Sequence, residues 1–83
     1  MKLGRKQPSA DADERTAEAR KRAAHIATPE LYDWADQCQY VCGRGLLEYR
    51  QHLDEPNFVE EAVFAAEVLL VIAQEIRHRS LSR

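Results

Sequence analysis

Apolar residues recur every three or four positions through most of the chain, and this spacing predicts an all-α protein. The clearest segment runs from Ala62 to Ala73, where Glu67 is the only ionisable residue. Wound at about 100° per residue, the segment carries one stripe that we expect to pack on a neighbouring helix. The stripe consists of Phe58, Ala62, Ala65, Leu69, Ile72, Ala73 and Ile76, widened on one side by Val59, Val63 and Leu70.

The same helix carries a second apolar strip on its far side, formed by Phe64, Val68 and Val71. A surface helix of a small monomer needs only one apolar stripe. A helix with two must be covered from two directions, and so short a chain has little else to cover it with. The pattern therefore predicts self-association, with this strip facing the partner.

Start and stop signals divide the chain into three predicted helices, at about 10–27, 29–53 and 56–79. Thr28 is the predicted cap of the second helix, with Pro29 at its first position. Pro56 ends the turn before the third helix, because its ring cannot continue a helix from the preceding turn. The short turn predicts an antiparallel helical hairpin. Two copies would form a four-helix bundle.

The predicted N-terminal helix is weaker than the hairpin helices, because alanines make up most of its apolar face. We expect it to lie across the hairpin or to extend away from it. Residues 1–8 lack periodicity and are interpreted as a flexible basic tail. Residues 9–83 are then one small helical domain.

The back of the second helix carries another apolar patch, formed by Tyr40, Gly43 and Leu47. These positions lie roughly 120–180° from the core stripe, so they predict a second contact surface. Scattered exposed apolar residues are the alternative interpretation. Gly43 and Gly45 each cost a helix interior about 1 kcal/mol relative to alanine, which predicts close approach of another backbone or a bend.

The formal net charge of −2 excludes a polycation that would bind nucleic acid over its whole surface. Cationic residues are nevertheless concentrated at the two ends of the chain. The alternative interpretations are solvated termini and a nucleic-acid-associated regulator. The candidate nucleic-acid contacts are Lys2, Arg5, Lys6, Arg77 and Arg79.

Candidate chemistry is weak throughout the chain. Cys38 and Cys42 share a helical face, but a closed zinc site needs four ligands, so we interpret both as core residues. Glu75 and His78 have the Glu-x-x-His spacing of di-metal bundles, yet the sequence has no second such motif. Because no nucleophile arrangement accompanies any histidine, we expect neither an enzyme nor a bound metal or cofactor.

The first residues lack the apolar core of a signal peptide, and the longest apolar run is shorter than the roughly 20 residues of a membrane span. We therefore expect a cytoplasmic protein. Its Arg- and Ala-rich composition suggests a bacterial or phage source. The predicted function is a non-catalytic interaction or regulatory protein that forms a homodimer and binds a protein partner. A small-ligand-binding helical oligomer is a further alternative.

Overall fold

A computed structural model describes residues 14–81 and contains three helices. They are α1 (Ala17–His25), α2 (Thr28–Gln51) and α3 (Pro56–Leu81). Helices α2 and α3 pack as an antiparallel hairpin, and α1 packs against α3. The described residues contain no strand. The predicted all-α hairpin with an additional N-terminal helix is therefore confirmed, with bounds within two residues for both hairpin helices.

Helix α1 ends at His25, two residues before the predicted end. Residues 14 and 15 are also helical, and a turn at Thr16 separates them from α1. The predicted start of this helix near residue 10 lies outside the described residues, as does the predicted tail at 1–8. Helix α1 does not extend away from the hairpin but packs against α3.

The start of α2 differs from the predicted cap at Thr28. Ala27 is the capping residue, and its backbone N–H donates a hydrogen bond to Glu30 Oε1 at 3.2 Å. Because alanine has no side-chain acceptor, Glu30 supplies only this half of a capping box. Thr28 lies inside the helix, where its hydroxyl accepts a hydrogen bond from Arg79.

Arg79 joins all three helices at one end of the molecule. Its Nε donates to Glu75 Oε2 of α3 at 2.8 Å, and its Nη1 donates to Thr28 Oγ1 of α2 at 3.0 Å. Its Nη2 donates to the carbonyl oxygens of Ala23 and Ile26 at 2.9 and 2.8 Å. Helix C-termini carry unbonded carbonyls and partial negative charge, so a guanidinium stabilises the end of α1.

The core lies where α1 crosses the hairpin. Leu31 of α2 and Ile72 of α3 are its two fully buried large side chains. Helix α1 contributes Ala19 and Ala23, which are small enough to let its backbone approach α3 closely. The buried cluster consists of Ala19, Ala23, Leu31, Ala35, Cys38, Val68, Val71 and Ile72.

The two glycines of α2 have opposite surroundings. A Cβ added to Gly45 would lie 2.7 Å from the carbonyl oxygen of Phe58 and 3.1 Å from Ala62 Cβ. The hairpin helices can therefore meet here only because residue 45 has no side chain, which confirms the predicted close approach at this position. A Cβ on Gly43 would have no neighbour within 4 Å.

Candidate interaction surfaces

The flank of α3 that faces α1 is closed along its middle, whereas Phe64 near one end of this flank is 45% exposed. Val68 and Val71 are only 5% and 6% exposed and belong to the same buried cluster as Ala19 and Ala23. Both valines were predicted to face a second chain, whereas α1 of the same chain covers them. The physical reason is the alanine face of α1, which contributes little apolar area itself but allows the helices to pack closely.

The opposite flank of α3 is open. Val63 and Leu70, predicted to widen the hairpin stripe, are 43% and 58% exposed. Ala66 and Ala73 are also exposed, and Val59 is half-buried. These five residues lie about 150° around the helix from the centre of the closed flank. We call Val59, Val63, Ala66, Leu70 and Ala73 the open stripe.

The open stripe has the spacing of a coiled-coil seam. Its members follow one another at intervals of four, three, four and three residues, which is the alternation of a and d positions in a heptad repeat. Larger side chains alternate with alanines along most of its length. Glu60 follows Val59, the first residue of the stripe, in the sequence. Exposed Arg77 continues the four-three spacing after Ala73, the last residue of the stripe. The stripe is therefore suited to receive another helix.

Helix α2 adds Leu46 to the open side of the hairpin. Arg22 of α1 stacks on the Trp34 ring at 4.1 Å from its centroid, so Trp34 marks the α1 side of α2. Leu46 lies about 120° around α2 from Trp34, on the flank away from α1, and is exposed. The open side is thus a surface of both hairpin helices.

The predicted patch of Tyr40, Gly43 and Leu47 is exposed on the back of α2. The Tyr40 hydroxyl accepts a hydrogen bond from Arg44 Nη1 at 3.2 Å, and Arg44 Nε donates to Glu48 at 2.8 Å. The hydrogen bonds to Glu48 and Tyr40 raise the pKa of Arg44. The patch therefore combines apolar surface with an oriented phenol and a fixed cation.

Phe64, the third residue of the predicted strip, is exposed beside a cleft between α1 and the hairpin. The cleft has a volume of about 540 Å³. Its apolar wall includes Trp34, Val41 and Phe64, and Arg22 and Glu61 lie among its charged lining residues. At the same end of α1, Arg15 Nη2 donates to Glu67 Oε2 at 2.6 Å. The cleft is large enough for a small molecule or a few side chains.

The candidate nucleic-acid contacts have different positions. Arg79 is engaged with α1, α2 and α3 as described above, so its guanidinium is not directed to solvent as the sequence pattern suggested. Arg77 is exposed on α3. Lys2, Arg5 and Lys6 lie outside the described residues. Of the two candidate contacts that lie within the described residues, only Arg77 is exposed.

The candidate metal ligands are engaged in packing or ion pairs. Cys38 is buried and Cys42 half-buried, and both are free thiols. Burial raises the pKa of the Cys38 thiol, although the charge of Arg22 opposes the shift. Glu75 pairs with Arg79 at 2.8 Å. Among residues 14–81, no three side chains of the metal-binding types form a group that could hold an ion.

Sequence reasoning did not separate the open stripe from the hairpin core. The available signal was the regular four-three spacing of Val59, Val63, Ala66, Leu70 and Ala73. The three large apolar members of the stripe, Val59, Val63 and Leu70, were assigned to the broad face that packs on α2. The position of α1 on α3 is what distinguishes the two flanks, and α1 itself has few large apolar residues.

Comparison with protein-family models, curated proteins and solved structures finds no match to this chain. None of the helices in residues 14–81 has the length and apolarity needed to cross a membrane. The candidate function therefore depends on the surfaces of the chain alone.

Proposed function

We propose that this chain is a small, non-catalytic interaction protein that self-associates and binds a protein partner. The observation that carries the proposal is the open stripe. Helix α1 covers one flank of α3, yet Val63 and Leu70 on the other flank remain about half exposed.

Isolated exposed apolar residues are normal on protein surfaces. The open stripe differs because its five members follow a regular helical spacing and lie on the same side of the hairpin as exposed Leu46 of α2. A contiguous apolar patch of this kind marks an interaction surface in a soluble protein. Complete burial of a Val or Leu side chain contributes about 1.5–3 kcal/mol, so a few such residues supply useful affinity.

The experiment is sedimentation equilibrium of the full chain over a range of micromolar concentrations. We expect a mass near twice that of one chain, with dissociation on dilution. A mass that stays at one chain throughout this range would contradict self-association.

The patch of Tyr40, Gly43 and Leu47 is the proposed surface for a different protein. It lies on the back of α2, so a dimer formed through the open stripe would leave it accessible. A cytoplasmic regulatory role fits a chain whose two cysteines are both free thiols.

The test compares affinity purification with the native chain and with a Tyr40→Ala, Leu47→Ala variant. We expect the variant to lose a specific partner while its helix content and dimer mass remain unchanged. Recovery of the same proteins by both chains would contradict this surface.

The cleft beside Phe64 favours a second candidate function, the binding of a small apolar molecule. Its volume of about 540 Å³ falls within the range of ligand sites, and Trp34, Val41 and Phe64 provide an apolar wall. Native mass spectrometry of protein from its natural source tests this function. A bound small molecule that is absent from a Phe64→Ala variant would support it, and an unliganded natural protein would contradict it.

A further inference from the structure

We infer that the open stripe binds the open stripe of a second copy, with the two α3 helices antiparallel. This inference rests on the proposed self-association and adds the surface, the partner and the orientation. A closed dimer has a two-fold axis, so the same residues must serve both chains and be complementary to themselves.

The order of large and small residues along the stripe meets this requirement. Suppose that the two-fold axis crosses α3 at the level of residue 68 along the helix. Ala66 of one chain then lies opposite Leu70 of the other, and Val63 lies opposite Ala73. The Ala66–Leu70 and Val63–Ala73 pairs then each occur twice in the interface, and Val59 of each chain lies opposite Arg77 of the other. A parallel pair would instead place Leu70 against Leu70 and Ala66 against Ala66. Wide and narrow contacts would then alternate along the interface, so large side chains would not be matched with small ones.

Charges at the two ends of the stripe favour the same orientation. Glu60 and Arg77 lie about 12 and 13.5 Å from residue 68 along α3, in opposite directions; Arg77 is in line with the stripe, and Glu60 lies about 100° around the helix from it. An antiparallel pair therefore brings Glu60, at the edge of each stripe, to the level of the long Arg77 side chain of the other chain. A parallel pair would bring like charges together at both ends. Within residues 14–81, neither side chain forms an ion pair that would compete with this contact.

Disulfide trapping tests the orientation. Two single-cysteine additions, Val63→Cys and Ala73→Cys, are made in a Cys42→Ala background that removes the half-buried thiol. In the antiparallel pair, residues 63 and 73 of different chains are opposite each other. Two copies of residue 63 are about 15 Å apart along the helices, beyond the reach of a disulfide.

Mild oxidation of the mixed variants should give a covalent dimer that contains one chain of each. Each variant alone should remain largely monomeric on a non-reducing gel. Rapid crosslinking of each variant with itself, or no crosslinking of the mixture while sedimentation still shows a dimer, would overturn the inference.

Charge reversal provides a second test. Glu60→Arg alone and Arg77→Glu alone should each weaken dimerisation by roughly 2- to 10-fold, the range expected for exposed ion pairs. The variant that carries both changes should recover most of the affinity of the natural chain. In a parallel dimer none of the three variants would differ much, because each reversal replaces one like-charge pair by another. Equal affinities would therefore overturn the antiparallel orientation.

The outcomes separate this inference from the proposed function. If the natural chain forms a dimer and the stripe variants dimerise with the same affinity, self-association holds but uses another surface. A monomer at all concentrations removes both the inference and the self-association proposed above.

Discussion

The two flanks of α3 are both apolar, but only one of them is covered. On the closed flank, Val68 and Val71 are buried beneath α1. On the open flank, Val63 and Leu70 are about half exposed. The residue types are similar, so the side chains of α3 do not decide the difference. The position of α1 decides it.

The comparison shows that a helix with little apolar area can still determine which surface is buried. Helix α1 contributes only Ala19 and Ala23 to the buried cluster, together with the half-buried Ile26. Their small size permits close packing, and Arg79 holds the last turn of α1 through two carbonyl oxygens. Close contact and a charged cap thus compensate for the lack of large side chains.

Replacement of a valine by glutamate should have the largest effect and the clearest contrast between the flanks. Val68→Glu places an unpaired carboxylate in the core, which costs several kcal/mol and approaches the whole stability of a small domain. We expect loss of cooperative thermal unfolding by circular dichroism. The matched control, Val63→Glu on the open stripe, should retain its helix content. Similar melting curves for the two variants would contradict the assignment of the flanks.

Truncation to alanine should also destabilise the closed flank more than the open flank, but by a smaller amount. Ile72→Ala removes a fully buried side chain and should lower the free energy of unfolding by about 2–5 kcal/mol. Leu70→Ala, measured by denaturant unfolding at concentrations where the chain is monomeric, should lower it by less than about 1 kcal/mol. Equal losses would mean that Leu70 belongs to the core of the single chain.

Removal of the Arg79 side chain should loosen the helix that closes one flank. Arg79→Ala loses the charged hydrogen bonds to α1 and α2, and hydrogen bonds of this type contribute about 1.5–3 kcal/mol. We expect amide hydrogen exchange in α1 to be faster than in the natural chain, with little change in the α2–α3 turn region. Arg79→Lys keeps the charge but not the forked geometry, so it should recover only part of the protection. Unchanged exchange in α1 would show that Arg79 does not hold this helix.

The two glycines extend the contrast to α2 and should give the smallest effects. Gly45→Ala forces a methyl group against the Phe58 carbonyl and should destabilise the hairpin by about 1–3 kcal/mol. Gly43→Ala meets open space and should stabilise α2 by about 0.5–1 kcal/mol. Thermal melts of the two variants should shift in opposite directions, and a shared direction would contradict the close approach at Gly45.

The periodicity of the sequence was sufficient to predict three helices and the hairpin. Thr28, Pro29 and Pro56 are local signals that do not depend on the rest of the fold, so they located the helix boundaries to within a residue or two. The capping role of Thr28 was not correctly predicted, because Arg79, 51 positions away along the chain, engages its hydroxyl. A contact between distant residues leaves no mark in the local pattern.

The candidate surface was only partly predictable for the same reason. The third helix was correctly expected to need cover from two directions. Which strip remained open depended on α1, whose alanine face gave a weak signal. The patch at Tyr40 and Leu47 was easier to locate, since it lies directly behind the strong core stripe of α2.

Self-association through the open stripe is the central claim, and a Leu70→Glu variant tests it most directly. Sedimentation equilibrium and circular dichroism are measured on this variant and on the natural chain at the same micromolar concentrations. We expect the natural chain to be a dimer and the variant to be a monomer with the same helix content, because the carboxylate would be buried only in the interface. Equal masses for the two chains would contradict the claim.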